Sequence, residues 1–307
     1  MTPSSGAPNV CQWLGRTAFG QFATFSGSIQ SQAHIKPVHW YVASRLVVEG
    51  GFHPDDVRPR PPFDVRQRGR HKMLVHVPEL ATGGEHTVLG GLKTKDVDVV
   101  VTKPGMGPVI AVSCRGMTGA LRNLTNRMEE TIGECTNIHI TYPALVFGYL
   151  FLIRANQIPE AQAVTAELEI AVSESETPAR QLAANDIALQ QGGDPVESIR
   201  RFYSALLELH GRRGIRNDIS RYEAIALALI DTSATAAGAS LAAFPPPESP
   251  LRFEKLFNTM YLRYDERYVY AAPTLKSVTE RIEWAPNSPA FQPGTVAAGL
   301  DYEPRLA

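Results

Sequence analysis

The sequence predicts a mixed α/β domain, and three observations predict it. A β-branched strand–turn–strand unit spans 96–115 (DVDVVVTK, PGMGP, VIAVSCR), an amphipathic helical pattern follows, and a wholly apolar block, ALVFGYLFLI, fills 144–153. Two-residue alternation, helical periodicity and buried-strand composition in direct succession belong to helices packed on a sheet. The 307 residues carry a net charge of -1, with 44% hydrophobic and 20% charged residues. Such a chain can bury a large core, which excludes a wholly disordered protein and a strongly basic one that coats nucleic acid. The longest apolar block is about half of a bilayer crossing, so no membrane span is expected. Cys11, Cys114 and Cys135 form no CxxC pair, and MTPSSGAPNV has no basic region leading into an apolar stretch. A reducing, cytoplasmic setting is therefore expected.

Each element follows from its local pattern. Residues 1–33, rich in Ser, Gly, Ala and Gln, predict a loosely attached arm. From Pro37, Val38, Tyr41, Val42, Arg45, Leu46 and Glu49 fall at helical spacings until Gly50-Gly51 closes the helix. The prolines of HPDDVRPRPPF force an extended path, 73–77 is a short strand, and 81–95, with two Gly pairs, is a connection. Strands 96–103 and 109–115 form a hairpin around the turn 104–108. Over 118–139, Leu121, Leu124, Met128, Ile132 and Cys135 make one apolar helical stripe. Pro143 ends that helix, and 144–153 is a buried central strand.

The second half is expected to be largely helical, with helices at 159–172, 178–191, 195–210 and 251–264. A strand is favoured at 223–234, a rigid turn at 244–250 and a short edge element at ERYVYAAP. The expected organisation is one domain over 34–285, with a core at 37–155, a helical part at 156–222 and further core elements at 223–285. An irregular tail follows at 286–307. No internal repeat is present.

Chemistry concentrates in the hairpin. Asp96 and Asp98 share one strand face, and Ser113 and Arg115 share a face on the other strand, so a carboxylate, a hydroxyl and a guanidinium converge at one end of apolar strands. That grouping is costly unless its members bond to one another or bind something. On the following helix, Glu129 lies about 100° from Met128, on the flank that faces back to the hairpin, whereas Glu130 points to solvent. Cys114 and Cys135 are expected in the core, and His139 as a structural histidine. No zinc spacing among the histidines and no phosphate-binding GxxxxGK[ST] occurs.

Over roughly Val38–Arg154 this arrangement resembles the PD-(D/E)xK, restriction-endonuclease-like nucleases. The likeness rests on helix–hairpin–helix–strand order, on Asp98 opening a β-branched strand, and on Ser113-Cys114-Arg115 placed 15 positions later. The usual (D/E)xK is absent. Some members carry SxK with the glutamate moved to the next helix, and Glu129, with thirteen residues between it and Arg115, matches that variant. The resemblance implies a Mg2+- or Mn2+-dependent endonuclease on double-stranded DNA, of a type II restriction or phage-defence kind, working as a homodimer. A cognate methyltransferase or other defence partner would accompany it. Asp98 and Glu129 would hold the metal, with Ser113, Arg115 and a first-helix glutamate, Glu49, completing the catalytic group.

Phosphodiester hydrolysis needs phosphate charge neutralised and water activated, which a carboxylate-held cation supplies. Arg115 can pair with phosphate oxygens but cannot serve as a base. Its presence in place of lysine motivates the alternative, a nuclease fold that binds DNA or a partner without cleaving. Carboxylates that face away from each other, or an arginine fork filling the gap where the ion belongs, would reduce the enzymatic reading to that scaffold.

Positive charge for DNA clusters at 58–72, where Arg58, Arg60, Arg66, Arg68, Arg70 and Lys72 face the single Asp64. Arg122, Asn126 and Arg127 on the long helix are further contacts, and Arg212, Arg213 and Arg216 form a smaller basic group.

Overall fold

A five-stranded mixed sheet organises the chain. The computed structural model describes residues 14–27, 32–119, 121–157, 186–292, 295 and 300–307. Helices α1 (Gly15–Thr24) and α2 (Lys36–Val48) come first, then strand β1 (Val57–Arg58), the hairpin β2 (Phe63–Arg68) and β3 (His71–His76), and a second small pair, β4 (His86–Leu89) and β5 (Thr94–Val97). Strands β6 (Val99–Lys103) and β7 (Gly107–Met117), helix α3 (Leu124–Thr141) and strand β8 (Val146–Arg154) follow. Helix α4 (Glu197–Leu209), strand β9 (Ala224–Ile230) and helix α5 (Phe253–Tyr264) complete the major elements.

The sheet order is β1-β6-β7-β8-β9. β1, β6 and β7 are antiparallel, and β7, β8 and β9 run parallel. Parallel strands need both faces covered, which is why VFGYLFLIR and AIALALI are apolar almost throughout. One face packs against α1, α2 and α5, the other against α3 and α4. On β8, a Cβ added at Gly148 would lie 2.5 Å from Met260 Sδ, so the glycine lets α5 lie flush on the sheet. The glycine pair closes α2 as its sequence indicates: Gly51 has φ +70° and its N–H bonds to Val47 O.

Several expectations are corrected. The strand expected over 96–103 breaks at Asp98, so β5 pairs with β4 and β6 joins the main sheet; the connection 81–95 thus contains strands. Residues 15–24, assigned to a loose arm, form α1 with Ala18, Phe19 and Phe22 in the core. The edge element expected after 264 is a π-helical continuation, Asp265–Tyr270. Of the helices expected at 159–172 and 178–191, all but 186–191 lies outside the described residues, and 187–191 is not helical. The end of the tail is tied down: Arg305 N–H bonds to Val48 O, and Ala307 N–H to Trp284 O.

Beneath the sheet end lies an ion network. The fully buried Glu223 accepts from Phe147 N–H and Arg212 Nη1, each at 2.8 Å, and pairs with Arg267 at 2.7 Å and His139 at 3.5 Å. Arg212 is therefore structural rather than part of a basic surface. Burial alone would raise the Glu223 carboxyl, but His139, Arg267 and the Phe147 amide outweigh it and hold the group at about 2, against an ordinary 4.5. A carboxylate depressed on folding stabilises above its unfolded value and loses that contribution as pH falls through the folded one. Urea midpoints are accordingly expected to drop between pH 4.5 and 2, and that drop is expected to flatten in Glu223→Gln.

Candidate active site

Asp98 stands where β5 gives way to β6, and it is reached from both layers. Its Oδ2 accepts from Cys114 N–H at 2.7 Å and from Arg115 Nη1 at 2.8 Å. Its Oδ1 faces His39 Nε2 of α2 at 3.5 Å. The two oxygens of one buried carboxylate thus have different surroundings. Burial pushes the Asp98 carboxyl up, while Arg115 and the Cys114 amide pull it down.

Strand alternation turns Ser113 and Arg115 towards α3 and sends Cys114 into the opposite core, as expected. The helix answers with Glu134. Ser113 Oγ donates to Glu134 Oε1 at 2.6 Å, and Arg115 Nη2 pairs with Glu134 Oε2 at 3.3 Å. The guanidinium therefore lies between two acids, Asp98 and Glu134, as an internal cation. Lys95 Nζ of β5 approaches Glu134 at 3.9 Å from the same side.

Glu129, expected as the second acid, is exposed. The cause is helix phase: the buried stripe runs through Leu124, Thr131, Cys135 and Ile138, leaving Ile132 39% exposed. Thr131 is held inward by its bond to Tyr149 OH. At 100° per residue, Glu134 lies roughly 140° round the helix from Glu129. Glu49 is also displaced from the site. It pairs with Arg45 at 2.7 Å and accepts from Tyr261 OH at 3.1 Å, in a different recess. From the opposite end of α2, about 15 Å along its axis, His39 is the residue that reaches Asp98.

Glu85, exposed and just ahead of β4, completes a group. One ligand atom each from His39, Glu85 and Asp98 lies within 4.8 Å of the others, a set that could hold a divalent cation. The residues fit such an ion on two grounds. His39 Nε2 is buried with no hydrogen-bond partner, and burial lowers that imidazole to about 3, so it is neutral at pH 7 with a nitrogen able to ligate. The 3.5 Å separation from Asp98 is long for a hydrogen bond but close to the roughly 3 Å between neighbouring ligands of one small cation. An imidazole beside two carboxylates suits Mn2+ better than Mg2+, which prefers oxygen.

The site opens into a cavity of about 560 Å³ lined by Glu85, Lys95, Asp98, Arg115, Arg127 and Glu130. Arg127, expected at DNA, lies at this rim paired with Glu130. Asn126 is exposed on α3, and the side chain of Arg122 lies outside the described residues. Arg58 and Arg60 are engaged internally: Arg58 donates to Asp55 and Val57 carbonyls, and Arg60 pairs with Asp55 at 2.8 Å. Arg66, Arg68, Arg70 and Lys72 are exposed on the β2–β3 hairpin.

His39, Glu85, Glu134 and Lys95 were not among the expected site residues. The local signal for His39 was a lone polar ring on an apolar helix face, which does not by itself distinguish a ligand from a core histidine. No protein-family model matches the chain, and no curated protein or solved structure matches it.

Proposed function

We propose that the protein is a divalent-metal-dependent nuclease that hydrolyses DNA phosphodiester bonds, of the PD-(D/E)xK kind. The observation that carries this reading is the His39/Glu85/Asp98 group, placed at the break of a strand in a helix–antiparallel strands–helix–parallel strand core. A bound cation would supply Lewis acidity and an activated water. The chain's own residues do the rest. Asp98 Oδ1, His39 Nε2 and Glu85 offer ligands, Arg115 offers a fork for a phosphate oxygen, and Lys95 brings an ammonium to the cavity that lacks the family's lysine at position 115.

The test is plasmid cleavage across a metal series. Mn2+ is expected to support cutting at a concentration at least about tenfold below that of Mg2+, because of the imidazole ligand. His39→Ala is expected to remove that preference along with most of the activity. Cutting that persists in EDTA, or that His39→Ala leaves unchanged, would overturn the metal assignment. Two-ended cutting as in a type II restriction enzyme would need two copies, and light scattering is expected to give twice the mass of the 307-residue chain.

One observation favours a second reading. The Arg115 guanidinium sits between Asp98 and Glu134, where a shared cation would otherwise lie. In that reading the fold binds DNA without cutting it, and the wild type shows salt-sensitive binding but no metal-dependent nicking.

A further inference from the structure

The insertion between β1 and β4 starts and finishes beside the proposed active site. Arg58 pairs in register with Val100, two residues beyond Asp98, and the chain returns at Glu85, a member of the metal-ligating group. Its neck is closed by a backbone pair, Arg60 N–H to Thr82 O at 2.9 Å and Thr82 N–H to Arg60 O at 3.2 Å. Between lies the β2–β3 hairpin, with Phe63 and Leu74 at its base buried in the main core. Leu74 N–H is further fixed by Ser288 Oγ at 3.1 Å.

The distal half is different. Residues 66–72 are all exposed, and they read RQRGRHK. Arg68 pairs with His71 across a two-residue loop whose first residue, Gly69, has φ +60°, the tight type II′ turn of a regular ribbon. The exposed Arg66 approaches the half-buried Asp64 at 3.7 Å. Among the described residues no carboxylate pairs with Arg68, Arg70 or Lys72. The cationic Arg58 and Arg60 at the neck are engaged by Asp55 and by carbonyls, so the available charge lies at the tip.

Three like charges kept together without acidic partners oppose one another, and an anionic partner relieves that opposition. A two-stranded ribbon fits the major groove of B-form DNA, and the roughly three residues of each strand beyond the buried base give a free reach of about 10 Å.

We propose that the 66–72 hairpin tip is a double-stranded-DNA arm that enters the major groove and sets Arg68, Arg70 and Lys72 against the flanking phosphates. This deepens, and rests on, the reading of the site as a nuclease acting on DNA. The arm binds duplex, and the metal group acts on the strand brought to the neck.

The experiment measures binding of a fluorescent 30-base-pair duplex and of its single strand in EDTA, across a salt series. The proteins are the full chain, the triple variant Arg68→Ala/Arg70→Ala/Lys72→Ala, and the charge-keeping Arg68→Lys/Arg70→Lys. All changed positions are exposed, and circular dichroism of each variant checks that it folds. The triple variant is expected to bind duplex at least about tenfold more weakly, with a salt slope shallower by about 2–3, since each phosphate contact contributes about 0.9. The lysine variant is expected to keep most of the affinity.

Equal duplex affinity and slope in wild type and triple variant would overturn the arm, and so would wild-type binding of single strand as tight as duplex. Plasmid cleavage separates the two ideas. Loss of duplex binding in the triple variant, with no metal-dependent cutting by wild type, keeps the arm and sinks the nuclease. Metal-dependent cutting that Asp98→Asn abolishes, with an arm variant that binds normally, does the reverse.

Discussion

Asp98→Asn is expected to abolish Mn2+ binding in calorimetry and to reduce metal-dependent cleavage by about a thousandfold or more, several kcal/mol of lost cation chemistry. Asparagine keeps the size and one carbonyl oxygen, so Cys114 N–H retains an acceptor. It removes the charge from both sides of the residue at once. Oδ1 no longer attracts a cation beside His39, and Arg115, 2.8 Å from Oδ2, loses its closest counter-charge. A stability loss of about 2 kcal/mol should accompany the loss of activity, the usual size for a charged hydrogen bond. Denaturant unfolding measures it separately, so that lost activity is not mistaken for lost fold. Cation binding that survived in a folded Asp98→Asn protein would move the metal elsewhere.

Arg115→Ala is expected to split two quantities that ordinarily fall together. Mn2+ affinity should rise at least about tenfold, because a full positive charge 2.8 Å from the carboxylate of the candidate metal group is removed. At an effective dielectric near 20 and a separation of about 5–10 Å, that charge opposes a divalent ion by at least roughly 2 kcal/mol. Cleavage should nevertheless fall, since the phosphate loses its fork. The folded state should lose about 2 kcal/mol, below the about 3–5 kcal/mol of a fully buried pair, because the guanidinium is 27% exposed. An unchanged Mn2+ affinity would show that the fork does not compete with the cation. A rise in affinity with no cutting by wild type or variant would favour the non-cleaving reading.

Asp98, Ser113 and Arg115 were legible in the sequence because their relation is local. A two-residue strand period fixes which side chains share a face, and a turn fixes which ends meet. The strand β9 and the helices α2 and α3 were legible for the same kind of reason. The second acid was not. Leu121, Leu124, Met128, Ile132 and Cys135 form a stripe that drifts around the helix, and the packing of Thr131 against Tyr149 selects a phase that buries Glu134 and exposes Glu129. Choosing between two glutamates five residues apart required knowing where the sheet lies. His39 and Glu85 were further out of reach, since they meet Asp98 from a different helix and from the far end of an insertion. Glu49 misled because its helix was right and its end of the helix was wrong.

The unequal surroundings of the two Asp98 oxygens carry a consequence for how such a chain can change over generations. One oxygen closes the strand junction and balances Arg115, and the other looks towards the ligand group. In a lineage that sheds the proposed chemistry, loss of Asp98 would leave Arg115 to Glu134 alone and Cys114 N–H without its acceptor, whereas His39 and Glu85 can be replaced while the junction stays closed. Decay should thus proceed from the periphery inward, and an aspartate retained at this bend in a distant descendant would testify to architecture, not to turnover.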